Sequence, residues 1–193
     1  MDELRSWLTT SLMWDASRDP TALIKEFLEG YYSPAASGYM HSHLSGLLNA
    51  TKGVYVRDGC RWGPDGNQSQ LVPANCFLMP WLTKHAVMNS AASLHAALRA
   101  VGGQDPFATR IDRVWRSTQW ILLNRWKEFC AAYAGSTAEW PLNFTARETS
   151  QDLVAGLRRH KIHWLATPTA KWNASSLLTQ FNDSTLVCAN TRG

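Results

Sequence analysis

The stretch that decides the fold is Asp19-Pro-Thr-Ala-Leu-Ile-Lys-Glu-Phe-Leu-Glu-Gly-Tyr-Tyr-Ser-Pro34. Aspartate caps free backbone N–H groups, and proline at the first helical position loses no hydrogen bond, so Asp19-Pro20 predicts a helix start. Apolar residues then recur at helical spacing and predict one buried face: Leu23, Ile24, Phe27, Leu28 and Tyr31. Ser33-Pro34 repeats the start signal, so we expect a sharp corner and a further helix.

The helical period continues on both sides of this stretch. A preceding helix is predicted from the stripe Leu4, Trp7, Leu8 and Leu12. A following helix is predicted from Tyr39, Met40, His43, Leu44 and Leu47. His41 and His43 lie two residues apart and would point to opposite sides of that helix. We therefore interpret His43 as a core histidine and not as a metal ligand.

Three more helices are predicted further along the chain. Gly102-Gly103 is a typical end signal for a helix that begins near residue 81. Asp105-Pro106 opens a long helix that continues to Phe129, and a capping box from Thr145 to Glu148 opens the last. The sequence thus predicts an all-α fold, a bundle of five to six helices. The helical domain covers residues 1–165, and an irregular tail covers residues 166–193.

The helical period is absent between about residues 49 and 80, where glycine and proline are frequent. This composition predicts one long loop or a small hairpin. Cys60 and Cys76 bracket its tip, and a disulfide between them would hold it in place. The chain has four cysteines, which allow three pairings into two disulfides, and the sequence leaves all three open.

The same segment carries the candidate ligand-binding residues, Arg57, Arg61, Trp62 and Tyr55. An indole offers a face for a sugar ring, and guanidinium groups bind hydroxyl or carboxylate oxygens. The sequence therefore predicts a carbohydrate contact on this loop. The competing interpretation is that Trp62 only packs the loop onto the helices.

Five of the asparagines lie in glycosylation sequons: Asn49, Asn67, Asn143, Asn173 and Asn182. Together with the cysteines they predict an extracellular protein or one in the secretory pathway. The first five residues, Met1 to Arg5, lack the basic and apolar regions of a signal peptide. We therefore expect this chain to be the C-terminal part of a longer exported protein.

Composition and spacing exclude several other functions. The chain has 193 residues, of which 45% are hydrophobic and ten are tryptophan. Its net charge is +4, and the basic residues are spread along the chain without forming a run. We predict no nucleic-acid binding and no membrane span. Cysteine and histidine spacing matches no zinc site, and no phosphate-binding glycine motif is present, so we expect no metal and no cofactor. Glycoside hydrolysis needs two opposed carboxylates, and Glu26 and Glu29 are better explained as solvated surface.

Residues 12–15 (Leu-Met-Trp-Asp) and residues 19–36 resemble a recurrent stretch of a glycoside-hydrolase-like family, domain of unknown function 4838. The family pattern couples a Leu-Trp-Asn/Asp start to Phe-x-x-Gly-Tyr-Tyr-Gly-Pro-Ala-Ala. Asn75 to Leu78, Arg113-Val114 and Trp120 to Leu123 are similar to its later landmarks. Ser33 departs from the family glycine, and we expect little consequence because serine caps helices well.

This resemblance implies a (β/α)₈ barrel ahead of the helices, whose strands would carry the catalytic carboxylates. No catalytic residue is carried over to this chain. We predict the C-terminal helical region of a carbohydrate-active protein, with the barrel of the same protein as its partner and no activity alone. The alternative is a freestanding carbohydrate-binding or structural glycoprotein module.

Overall fold

The computed structural model describes residues 2–51, 82–133, 145–162, 164–166 and 171–173. The predicted loop site and the Cys60 and Cys76 pair therefore lie outside the described residues. The described part confirms the all-α prediction. Its helices are α1 Asp2–Trp14, α2 Pro20–Tyr32, α3 Pro34–Thr51, α4 Lys84–Val101, α5 Phe107–Asn124, α6 Trp126–Tyr133 and α7 Ala146–Arg159.

Three helix boundaries follow the predicted capping signals, whereas α5 begins at Phe107, after the predicted Asp105-Pro106 start, and has no side-chain cap. The Asp19 carboxylate accepts hydrogen bonds from the backbone N–H groups of Thr21 and Ala22, at 3.0 and 3.2 Å. Gly102 ends α4 in the left-handed conformation with φ 55°. Thr145 and Glu148 form the predicted capping box at the start of α7. These short-range signals set the helix limits before any tertiary contact is considered.

The core lies where α3 packs along α4, α4 along α5, and α5 along α7. One continuous apolar cluster runs through it, and its largest fully buried side chains are Trp115, Trp126, Tyr32 and Phe129. α2 contacts both α3 and α5, while α1 packs mainly on α2. The predicted stripe of α1 is correspondingly only half-buried at Leu4 and Leu8, and Trp7 is 38% exposed.

The prediction of one continuous fifth helix is wrong, because the helix is interrupted at Arg125 and forms two helices, α5 and α6. Arg125 leaves the helical conformation at φ −112° and ψ 16°. Its guanidinium donates to the Leu82 carbonyl and also binds Glu128. Trp126 and Phe129 remain buried after the break, so the apolar period continues across it.

Two boundaries differ in detail from the predicted ones. α3 continues through Asn49 to Thr51, the first residues of the predicted excursion. Two short strands, β1 Trp164–Ala166 and β2 Lys171–Asn173, pair antiparallel with Leu165 opposite Trp172. The second strand falls in the segment expected to be an irregular tail. None of the helices in the described ranges is both long and apolar enough to span a bilayer.

Candidate functional site

A cleft with a volume of about 380 Å³ lies between α2, α3, α4 and α5. Most of its wall is apolar, with Leu47, Leu82, Val87, Val114 and Ile121 contributing. One edge is basic, because Arg110 and Arg113 lie three residues apart on α5. Among the lining residues that the structure describes, Glu3 of α1 supplies a carboxylate. The cleft combines an apolar interior with a charged rim.

A chain of polar side chains forms the floor of this cleft. The Nδ1 atom of His43 lies 2.7 Å from the Ser90 Oγ, which lies 3.3 Å from the Thr118 Oγ1. All three side chains are buried, and burial lowers the pKa of His43 to about 4. The imidazole is therefore neutral at pH 7. This confirms the interpretation of His43 as a core histidine, and such a low pKa makes it a poor general base for Ser90.

Arg110 is fixed against α2 at the edge of the cleft. Its Nη1 donates to the Tyr31 carbonyl oxygen at 2.9 Å, and its Cζ lies 4.2 Å from the centre of the Tyr31 ring. Phe27 stacks on the same ring with centroids 4.9 Å apart and an interplanar angle of 15°. The hydrogen bond and the cation–π contact hold the guanidinium in one place. Arg110 is accordingly half-buried.

A second polar cluster joins α5 to α7 behind the cleft. Arg116 is only 5% exposed and donates to Asp112, to Gln119 Oε1 at 2.6 Å, and to both the carboxylate and the backbone carbonyl of Asp152 at 2.8 Å. Gln119 also donates to the Asp152 carboxylate at 2.7 Å. A buried guanidinium needs partners, because an unpaired buried charge costs several kcal/mol. Nη1 and Nη2 of Arg116 have them, whereas its buried Nε makes no hydrogen bond within the described part of the chain. The cluster therefore fixes the relative position of the two helices.

Asp112 is the anionic centre of this cluster. Its Oδ2 lies 2.7 Å from His160 Nε2 and 3.2 Å from Arg159 Nη1. Burial raises the pKa of Asp112, but the hydrogen bonds and charges of Arg116, His160 and Arg159 outweigh it and hold the pKa below its usual value. Arg113 Nε donates to His160 Nδ1 at 3.5 Å, so His160 links the cluster to the rim of the cleft.

The remaining predicted site residues have the following positions. Asn49 is exposed in the last turn of α3, and Asn173 ends β2, while Asn67, Asn143 and Asn182 lie outside the described residues. Arg57, Arg61, Trp62, Tyr55, Cys60 and Cys76 also lie outside them. Cys130 is not a free thiol. The described ranges hold no group of three His, Cys, Asp or Glu residues suited to a metal ion.

The sequence analysis did not identify the cleft or the cluster around Arg116. The available signal was polar residues within the strongest apolar pattern, such as Thr118 and Gln119 on α5. Their partners, Ser90 and Asp152, are 28 and 33 residues away in sequence. The helical period predicts which side of its own helix a residue faces. It does not predict which residue of another helix it will contact.

The segment that contains α1, α2 and most of α3 is similar to a known family. Residues 1–45 match the family described as Domain of unknown function (DUF4838). The match supports the resemblance seen at residues 12–36 and includes Tyr31, Tyr32 and His43 of the cleft. The landmarks suggested beyond residue 45 stay predictions. No curated protein and no solved structure matches the chain.

Proposed function

We propose that this chain is the C-terminal helical region of an exported, carbohydrate-active protein of the glycoside-hydrolase type. In that protein its helices would support a (β/α)₈ catalytic barrel and border the substrate cleft, and the chain would be inactive alone. The DUF4838 match over residues 1–45 is consistent with a domain of a larger protein. The barrel and the carbohydrate substrate rest on the family resemblance.

The observation that carries the proposal is the outer surface of α1, within the matched segment. Trp7, Met13 and Trp14 are 38%, 82% and 91% exposed. They are three of the six large hydrophobic side chains that are exposed in the described part of the chain. Met13 and Trp14 are neighbours at the end of α1, whereas Trp7 also packs on Phe27 of α2, with ring centroids 6.3 Å apart. Exposed apolar side chains of this kind favour a contact with another protein surface.

The carboxylates of α2 belong to the surface. Glu26 binds Arg18 at 2.6 Å, and Glu29 lies 3.9 Å from Lys25. Both are surface ion pairs with largely exposed side chains, as the sequence analysis expected. A glycosidase needs two carboxylates opposed across a cleft, and these two glutamates lie on the surface.

The test compares this chain with the longer native product of its transcript. Met13→Glu combined with Trp14→Glu should leave the thermal unfolding of the isolated chain unchanged, because both side chains are already solvated. In the longer protein the same pair should lower the unfolding temperature and the yield of folded protein, because it would place two charges in the interface.

The matched control is Leu48→Glu, which places a charge at a side chain that is 62% exposed on α3. It should have no effect in either form. An in-frame stop codon immediately upstream of Met1 would contradict the proposal, as would a longer protein that tolerates the α1 substitutions as well as the control.

A further inference from the structure

The cleft between α2, α3, α4 and α5 has a charge pattern that selects its ligand. Arg110 and Arg113 place two guanidinium charges on its rim, against one carboxylate, that of Glu3, among the described lining residues. His43 adds no charge at neutral pH, because burial lowers its pKa to about 4. The lining is therefore net positive and suits an anion.

Both arginines are held in place by bonds that use only part of each guanidinium. Arg110 uses Nη1 to bind the Tyr31 carbonyl oxygen, and Arg113 uses Nε to bind His160. A guanidinium carries five N–H donors in a fixed fork, which matches the two oxygens of a carboxylate. Ordering the arginines before binding lowers the entropic cost of capturing such a group.

The interior of the cleft favours an apolar ligand body over a sugar ring. Leu47, Val114 and Ile121 line it, and apolar surface predominates. A sugar would need an open aromatic face, yet Phe27 and Arg110 both lie against the ring of Tyr31. Tyr32, the other aromatic residue described in the lining, is only 2% exposed.

We propose that this cleft binds a small amphipathic carboxylate, with the acid group at Arg110 and Arg113 and an aliphatic chain along the apolar wall. This site is separate from the predicted carbohydrate contact on the loop and does not depend on the proposed barrel. At about 380 Å³ the cleft falls within the usual size range of small-molecule sites.

Calorimetric titration of the full chain at pH 7 with sodium octanoate tests the assignment. Octanoate should bind with a Kd below about 1 mM. Octanamide, which has the chain without the charge, and glucuronate, which has the charge without the chain, should each bind at least about tenfold more weakly. Equal binding of octanamide, preferred binding of glucuronate, or no heat with octanoate would each overturn the proposal.

Substitutions of residues that line the cleft test whether octanoate binds there. Arg113→Gln should weaken octanoate about tenfold, and Arg113→Lys should restore part of the loss, because a single charge remains without the fork. Lys127→Gln removes one exposed charge outside the lining of the cleft and should change the Kd by less than about twofold. Thermal unfolding establishes that each variant is folded. Unchanged affinity in Arg113→Gln would overturn the site.

Discussion

At the scale of single residues, Ser33 shows how one backbone angle changes the meaning of a motif. It joins α2 to α3 and caps α3, since its Oγ accepts from the Ala35 N–H at 3.2 Å. However, its φ is 83° and its ψ 144°, a region that suits glycine. The family pattern has glycine at this position, and the geometry explains that preference. The serine cap that the sequence predicted is therefore present, but it is combined with a positive φ.

Ser33→Gly should stabilise the chain by about 1 kcal/mol, because relief of about 1–3 kcal/mol of strain exceeds the few tenths lost when glycine replaces a serine cap. Ser33→Ala is the matched variant. It keeps the strained Cβ and loses the cap, so it should destabilise by about 1 kcal/mol. Urea unfolding measures both, and two variants shifted in the same direction would contradict this account.

His43 gives the molecule a predicted sensitivity to mild acid. The pKa of His43 is about 4 in the folded chain, whereas a solvated histidine has a pKa of 6.5. As the pH falls, the unfolded chain therefore binds the proton before the folded chain does. A group held neutral in this way loses folded-state stability as the pH falls from about 6.5 toward 4. Between pH 7 and 5 the loss should be about 2 kcal/mol, at about 1.4 kcal/mol for each pH unit below 6.5.

Urea unfolding at pH 7 and pH 5 checks this, with His43→Gln and His41→Gln compared. The His43→Gln variant should lose most of this pH dependence and keep the part due to His95, whose pKa burial also lowers. Its stability at pH 7 is lower because the bond to Ser90 changes. His41 is exposed, so its variant should keep the dependence of the original chain. If His43→Gln retained the full loss at pH 5, another group would have to be responsible.

At the scale of helices, the packing of α5 on α7 depends on a glycine. A Cβ at Gly156 would overlap the Nε and Cζ of Arg116, whose side chain is held by Asp112, Gln119 and Asp152. Displacing the guanidinium would cost free energy, because it would break hydrogen bonds to a buried charge. Gly156→Ala should therefore destabilise by about 1–3 kcal/mol.

Gly46 in α3 is the matched control, since a Cβ there meets nothing within 4 Å. Gly46→Ala should stabilise by about 0.5–1 kcal/mol, the ordinary helical gain of alanine over glycine. Thermal unfolding of the two variants should thus move in opposite directions. A stabilised Gly156→Ala variant would show that Arg116 is free to rearrange.

The helices also show what a sequence pattern can establish. Asp19, Gly102 and Thr145 mark helix ends through bonds to their nearest neighbours, and the sequence predicted all three. The break at Arg125 depends on its bond to the Leu82 carbonyl, 43 residues away, and was not predictable. The α5 to α7 cluster was missed for the same reason, because Arg116 next to Trp115 is indistinguishable from a solvent residue until α7 is in place.

At the scale of the whole molecule, the structure divides into a dense centre and one lightly attached helix. α3, α4, α5 and α7 share the apolar cluster, whereas α1 contacts mainly α2 and presents Met13 and Trp14 to solvent. Local opening is cheapest where few apolar contacts are lost. The amides of α1 should therefore exchange with solvent deuterium well before those of α4 and α5, even though α1 is a complete helix of 13 residues.

Hydrogen exchange followed by mass spectrometry measures this order in the isolated chain and, under the proposed function, in the longer native protein. α1 should gain protection in the longer protein, while the exchange of α5 changes little because its contacts are already made. Trp7→Ala, which removes the ring 6.3 Å from Phe27, should speed exchange in α1 alone. If α1 were protected as strongly as α5 in the isolated chain, its contact with α2 would suffice, and its exposed tryptophans would no longer argue for a partner.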